Sequence, residues 1–322
     1  MQYRIAPTIE RPRTICIAGG TGFVGQELIS RLTRAGHELR VLTRASSHAI
    51  DLMPLPSVEL AVGDVYSPEF LRRSIDGCDV VINLVGILNE RGFGGAGFRR
   101  AHVQFTSALL HAMQQLHIPR LLQMSALNAD AEHGRSHYLR SKGAAEDLIR
   151  VAGPALDWTI FRPSVIFGPG DSLTNRFARL LRQTAGILPL ARARARFAPI
   201  YVGDVAAAFM QALHGGPSSR KYYELCGPEV LTLEQIVRIT ARAACLPCHI
   251  YRLPDPLARL QASVMQFLPG KPFSVDNYRS LLTDSVCHYD DCRQLGLARA
   301  NLSALAPLWL APKPLALPRP AL

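Results

Sequence analysis

The sequence predicts an α/β protein: a doubly wound parallel sheet with helices on both faces, followed by a smaller C-terminal α/β lobe. Three observations carry this reading. Short β-branched runs alternate with segments of helical period through the first half of the chain. A glycine cluster separates the first run from the first helix. The length, 322 residues, exceeds the roughly 250 at which one hydrophobic core stops growing, so a second lobe is expected.

In order, residues 14–18 read as the first strand, and residues 23–35 place Val24, Leu28, Ile29 and Leu32 at helical spacing. Residues 39–42 and 58–62 are the next two strands. Asp79-Val80-Val81-Ile82-Asn83-Leu84-Val85 is apolar at nearly every position, as a strand buried on both faces must be. A long helix over 98–116, a strand at 121–124, a helix over 136–151 and a strand at 158–161 follow. Buried strands joined through helices imply a parallel sheet with right-handed crossovers. Beyond Pro163 the alternation loosens into a turn at Gly168-Pro169-Gly170, a helix over 173–183, a strand at 199–202 and a helix over 205–213. Thr232 is placed to cap a helix over 232–245. A helix over 256–268 gathers Leu257, Leu260, Val264 and Phe267 on one face. The segment 302–322 is apolar and interrupted by five prolines, which exclude a helix. It is expected as an extended tail packed on its own domain or frayed; the sharper alternative is an arm carrying Trp309 to a partner or membrane.

Composition narrows the function classes. Lys and Arg number 36 against 25 Asp and Glu, for a net charge of +11, and 48% of residues are hydrophobic, which excludes disorder. Only four residues are lysine, so the positive charge is nearly all arginine. The arginines are scattered without interleaved aromatics, against nucleic-acid binding; anionic partners or lipid headgroups remain. No apolar run approaches the roughly 18 residues of a membrane helix. Seven cysteines, an odd number, with no secretory pattern at the start, predict a reducing cytoplasm, with peripheral contact to the inner membrane as an extension. No metal is expected. Cys245-Leu246-Pro247-Cys248-His249 matches a haem-attachment pattern, and Cys287 with Cys292 would complete a zinc set, but both ideas are weak. Arg192, Arg194 and Arg196 would share one face if they lie on a strand, as a solvated edge in preference to a substrate contact.

Gly19, Gly22 and Gly25 form G-x-x-G-x-x-G around Thr21, Phe23 and Val24, directly after a strand and opening a helix. Such a turn lets a pyrophosphate approach free N–H groups at the positive end of the helix dipole. A Rossmann-type nucleotide-binding domain over 14–165 is therefore predicted, with an extension at 1–13, a mixed segment at 166–301 that returns to this domain near 197–214, and the tail at 302–322. The second strand ends without a carboxylate, and Arg44 stands where it can pair with a 2′-phosphate. NADP(H) is the preferred cofactor and NAD(H) the second choice. Asp64 and Val65 follow the third strand toward the adenine, and Gly86 follows the fourth.

Tyr138 and Lys142 are one helical turn apart on a common face. An ammonium beside a phenol lowers its pKa and suits it to proton transfer with a carbonyl or alcohol. Ser125 ends the preceding strand, where its hydroxyl can hold a substrate oxygen. With these residues in this order, the chain resembles the short-chain dehydrogenase/reductase superfamily in its extended and atypical branches, over roughly residues 14–245. The resemblance includes the segment from Phe161 to Gly168 and Tyr201-Val202-Gly203-Asp204-Val205-Ala206, and it assigns Pro163 to the cofactor site. Met124-Ser125-Ala126-Leu127-Asn128-Ala129 and the short run to Tyr138 are most similar to the branch of the nucleotide-binding accessory subunit of respiratory complex I and its bacterial relatives. That branch implies tight NAD(P)H binding, epimerase/dehydratase-like character and links to quinone metabolism or complex I.

His102 departs from the pattern by standing where the superfamily has a structural Asn, and a packed ring is favoured over a proton relay. Two functions follow. One is an NADP(H)-dependent oxidoreductase or epimerase using Tyr138, Lys142 and Ser125. The other is a non-catalytic NADPH-binding module that docks on a respiratory or quinone-linked assembly through the helix over 256–268 and the tail.

Overall fold

The computed structural model describes residues 11–45, 55–269 and 271–312. Strands β1 (Thr14–Ala18), β2 (Glu38–Thr43), β3 (Val58–Val62), β4 (Val80–Asn83), β5 (Arg120–Met124) and β6 (Asp157–Pro163) join the strand Lys221–Leu225 in one seven-stranded sheet. The order is Lys221–Leu225, β6, β5, β4, β1, β2, β3, and each pairing is parallel. Every residue of β4 and β5 is buried; the polar ones are partnered, Asn83 Nδ2 donating to Gln123 Oε1 at 2.9 Å and Arg120 pairing with Asp157. The order reverses beside β1, which opens a crevice at the carboxyl ends of the strands, the general ligand position in such sheets.

Helix α1 (Phe23–Arg34) and the helix Val202–Gln211 cover one face through Leu28, Ile29, Leu32, Val205 and Phe209. Helix α2 (Pro68–Ile75) and the helix Phe105–Gln115 cover the other through Leu71, Ile75, Phe105 and Leu109. The strand Lys221–Leu225 escapes sequence reading because it has one sheet neighbour, and an edge tolerates Lys221 and Glu224 among apolar residues. In the second lobe Thr232 caps the helix Leu233–Ala243 in a capping box with Gln235.

Several expectations change. The prolines do not prevent helix in the tail: Leu302–Leu305 and Pro307–Leu310 are short helices, with Pro307 in a first turn where its missing N–H costs nothing. Leu302, Ala306 and Leu310 are buried against Ile236 and Ile239. Trp309 is no outward arm, since its Nε1 donates to Thr174 Oγ1 at 3.4 Å and its ring stacks on Phe167. Residues 313–322, like 1–10, lie outside the described residues. Arg192 and Arg194 lie in a turn; only Arg196–Phe197 is strand, so the three arginines do not share a strand face. Arg192 pairs with Asp255 and Arg196 with Asp284. The cysteines are not all thiols either. Cys226 and Cys287 are joined in a disulfide 61 residues apart, which removes Cys287 from a zinc set with Cys245 and Cys248. Among the described residues no helix is long and apolar enough to cross a membrane.

Candidate functional site

The turn after β1 brings backbone close to backbone. Gly19 has φ +81°, and a Cβ there would stand 3.0 Å from the Leu84 carbonyl carbon and the Val85 nitrogen, so the loops after β1 and β4 meet across this glycine. Gly25 is buried, and a Cβ on it would fall onto the backbone of Gly20. Gly22 caps α1 with no side-chain hydrogen bond. The first-turn N–H groups beyond it are left for an anion, and this cradle fits a dinucleotide pyrophosphate. Thr21, Phe23 and Val24 are half-buried around it.

The other predicted cofactor positions line the same edge of the sheet. Arg44 is exposed just past β2, while Ser46, Ser47 and His48 lie outside the described residues. Asp64 is exposed past β3 and accepts from Tyr66 N–H at 3.0 Å, and Val65 packs against the core. Pro163 is buried at the end of β6, its carbonyl accepting from Leu127 N–H at 3.0 Å.

The helix His137–Arg150 presents Tyr138 and Lys142 to this edge. Ser136 caps it, accepting from Leu139 N–H at 3.1 Å. Asp276, from the second lobe, accepts from the backbone N–H of His137 at 2.7 Å and of Tyr138 at 3.2 Å. A carboxylate at a helix N-terminus is favoured by the dipole, so the second lobe is anchored beside Tyr138. Lys142 is 3% exposed. Its Nζ donates to the carbonyls of Val85 at 3.2 Å and Met124 at 3.1 Å, at the ends of β4 and β5. An ammonium carries three protons, so one remains for a ribose hydroxyl. Burial pushes the Lys142 pKa down to about 8 against the pull of Glu146. A Cβ on Gly86 would stand 3.2 Å from Nζ, so glycine keeps this approach open.

Tyr138 packs edge-on against Phe98 and His102, with centroids 6.0 and 5.7 Å away. Burial pushes its phenol up to about 12. The lowering expected from Lys142 is not found: burial is what moves the phenol, and Lys142 Nζ is engaged by two backbone carbonyls. At neutral pH the phenol is therefore protonated, a donor more than a base. Ser125 is 3% exposed. Its N–H donates to Phe161 carbonyl at 2.7 Å, and its Oγ is buried with no partner among the described residues. An unpartnered buried hydroxyl is costly, and its place one residue after Met124 fits a ligand oxygen.

Sequence reading missed how His102 is held. It sits on a π-helical turn, Arg99–Gln104, inside the helix after β4; such turns concentrate at functional sites. Ile87 N–H donates to Nε2 at 3.2 Å, which leaves the proton on Nδ1, 2.8 Å from Ser141 Oγ. Burial and the neighbouring Lys142 charge lower its pKa to about 2, so the ring is neutral, and with both nitrogens engaged it positions the loop after β4. Asp276 was also missed, since nothing in the sequence links it to a helix 138 residues earlier.

Fold and site together define a dinucleotide-binding α/β protein of the oxidoreductase and epimerase type. Residues 19–184 match a family described as NAD(P)H-binding, and the chain belongs to that family as an atypical short-chain dehydrogenase/reductase. It is 31% identical over 290 residues, 84% of this chain and 70% of the relative, to NADH dehydrogenase (ubiquinone) 1 alpha subcomplex subunit 9, mitochondrial, of Arabidopsis thaliana. It is also 31% identical over 242 residues, 75% of this chain and 74% of the relative, to a ceramide reductase of Caulobacter vibrioides. The solved UDP-glucose 4-epimerase of Thermotoga maritima superposes with a TM-score of 0.74 over 92% of this chain and 97% of that one; at 16% identity this is a likeness of fold.

Proposed function

We propose that the chain is an NADP(H)-dependent oxidoreductase acting on a carbonyl or its alcohol, with Tyr138 as the proton donor and acceptor. The observation that carries this reading is the buried, unpartnered Oγ of Ser125 beside the Lys142–Met124 hydrogen bond. A substrate oxygen bound there would offset the cost of leaving this hydroxyl without a partner. A nicotinamide cofactor supplies or takes the hydride at carbon. In reduction, Ser125 Oγ–H holds the carbonyl oxygen and the Tyr138 phenol gives it a proton. Lys142 would hold the cofactor ribose with its third proton, and the phenolate left on Tyr138 regains its proton from water. Arg44, just past a strand whose carboxyl end carries no acidic residue, favours the 2′-phosphate of NADP(H).

A second reading, a non-catalytic NADPH-binding module of a respiratory or quinone-linked assembly, is favoured by one observation: the exposed apolar residues of the helix Asp255–Met265. Single-turnover mixing with NADPH against quinones, aldehydes and sugar nucleotides separates the two. Oxidation of NADPH that disappears in Tyr138→Phe supports the enzyme. Tight nucleotide binding with no turnover in either protein refutes it in favour of the module.

A further inference from the structure

The helix Asp255–Met265 is built inside out for a soluble surface. At 100° per residue, Ala258 and Ala262 face the protein and are fully buried, while the large apolar side chains point the opposite way. Leu257 is 51% exposed, Leu260 59%, Val264 57% and Phe267, just past the helix, 73%. The surface extends onto the loop after β4: Phe93 is 56% exposed and meets Phe267 with ring centroids 5.3 Å apart. Contiguous exposed apolar area of this kind marks an interaction surface.

The charges around it name the occupant. Lys271 Nζ lies 4.1 Å from the Phe93 ring centroid, Arg91 is exposed on the same loop and Arg259 on the same helix, and Arg252, exposed on the strand just before the helix, is paired with Glu234. The nearby carboxylates are engaged within the fold: Asp255 pairs with Arg192, Asp276 takes the two helix N–H groups, and Glu90 accepts from Gly95 and Gly97 N–H. An apolar face with a cationic rim is the signature of a helix lying in an anionic membrane interface.

The surface is also continuous with the catalytic edge. Asn89 Nδ2 donates to the Lys271 carbonyl at 3.3 Å, and Asn277 Nδ2 donates to the Leu88 carbonyl at 3.3 Å. The loop so held begins at Val85, whose carbonyl takes Lys142. We propose that the helix Asp255–Met265 and the loop around Phe93 dock on an anionic lipid bilayer and set the site's mouth at the headgroup level, where an amphiphilic carbonyl substrate with its tail in the membrane can enter. The docking stands on the surface itself; the substrate class rests on the oxidoreductase reading.

The test is flotation of the full-length protein with vesicles of phosphatidylcholine alone or with phosphatidylglycerol, for wild type and Leu260→Asp/Val264→Asp. Both side chains are exposed, so an unchanged melting temperature is the folding control. Expected is binding to the anionic vesicles that weakens with salt and falls at least about tenfold in the variant, the loss from two Leu-sized apolar contacts. No binding by wild type, or equal binding by the variant, overturns the proposal. A wild-type dimer that the variant makes monomeric, without vesicle binding, also overturns it and assigns the face to a second copy. Flotation needs no turnover, so its failure is distinct from failure of the oxidoreductase reading. Given docking, NADPH oxidation by a long-chain ketone in vesicles should drop in the variant while that of a short water-soluble ketone holds. An equal drop for both refutes delivery from the membrane.

Discussion

Acid titration of the His102→Asn variant against wild type isolates the neutral imidazole at the centre of the site. In the folded chain the His102 pKa is about 2, against 6.5 for the free side chain. The unfolded chain therefore binds the extra proton first as pH falls. A depressed folded pKa contributes stability that is present above 6.5 and lost on acidification. At about pH 4.5 the unfolded imidazole is two units below its pKa while the folded one stays neutral, so His102 alone removes about 2.7 kcal/mol of stability relative to neutral pH. Asn can occupy the same place without titrating. Urea unfolding at pH 7 and about pH 4.5, followed by Trp158 and Trp309 fluorescence, gives the acid-induced loss for each protein, and their difference cancels the carboxylates common to both. A difference near 2.7 kcal/mol is expected, with wild type the more acid-sensitive. Equal acid sensitivity would show that the folded imidazole takes a proton freely and would refute the Ile87–His102–Ser141 arrangement.

Arg44→Ala should weaken NADPH binding about tenfold, the worth of one charge-assisted contact, and leave NADH unchanged in calorimetric titration; an equal effect on both would remove Arg44 from the 2′-phosphate. Gly25→Ala should abolish nucleotide binding and lower the melting temperature, because its Cβ would fall on the Gly20 backbone, whereas Gly22→Ala meets only the Gly19 carbonyl at 3.2 Å and should fold. Equal behaviour of the two would contradict the close packing of the loop. Thiol titration in denaturant without reductant should count five free cysteines out of seven; seven would mean that Cys226 and Cys287 are reduced in the purified protein.

The legible parts of the fold are those fixed by local period. β4 and β5 could be read because each carries a short apolar run, Val80-Val81-Ile82 and Leu121-Leu122, and α1 because one stripe of Val24, Leu28, Ile29 and Leu32 repeats at helical spacing. The helix at Thr232 was legible from its cap. The strand Lys221–Leu225 was not, since an edge strand carries a mixed pattern. The tail was misread because proline excludes a helix interior but not a first turn, and Pro307 occupies one. The helix Asp255–Met265 shows the limit of periodicity: an apolar stripe says that a face exists, and only the tertiary structure says whether it faces in or out.

For the site, the sequence alone determined the parts whose chemistry lies in consecutive residues. The glycine turn follows a strand and opens a helix, and Tyr138 and Lys142 share a face because four residues make one turn. Tertiary structure decided everything that depends on residues far apart in sequence. Lys142 is steered by carbonyls at the ends of two strands, and Tyr138 is anchored through Asp276 from the other lobe. The sign of the Tyr138 shift was decided the same way. Burial alone raises this phenol, and how deeply a side chain is buried depends on where the surrounding chain puts its atoms, which no local spacing encodes.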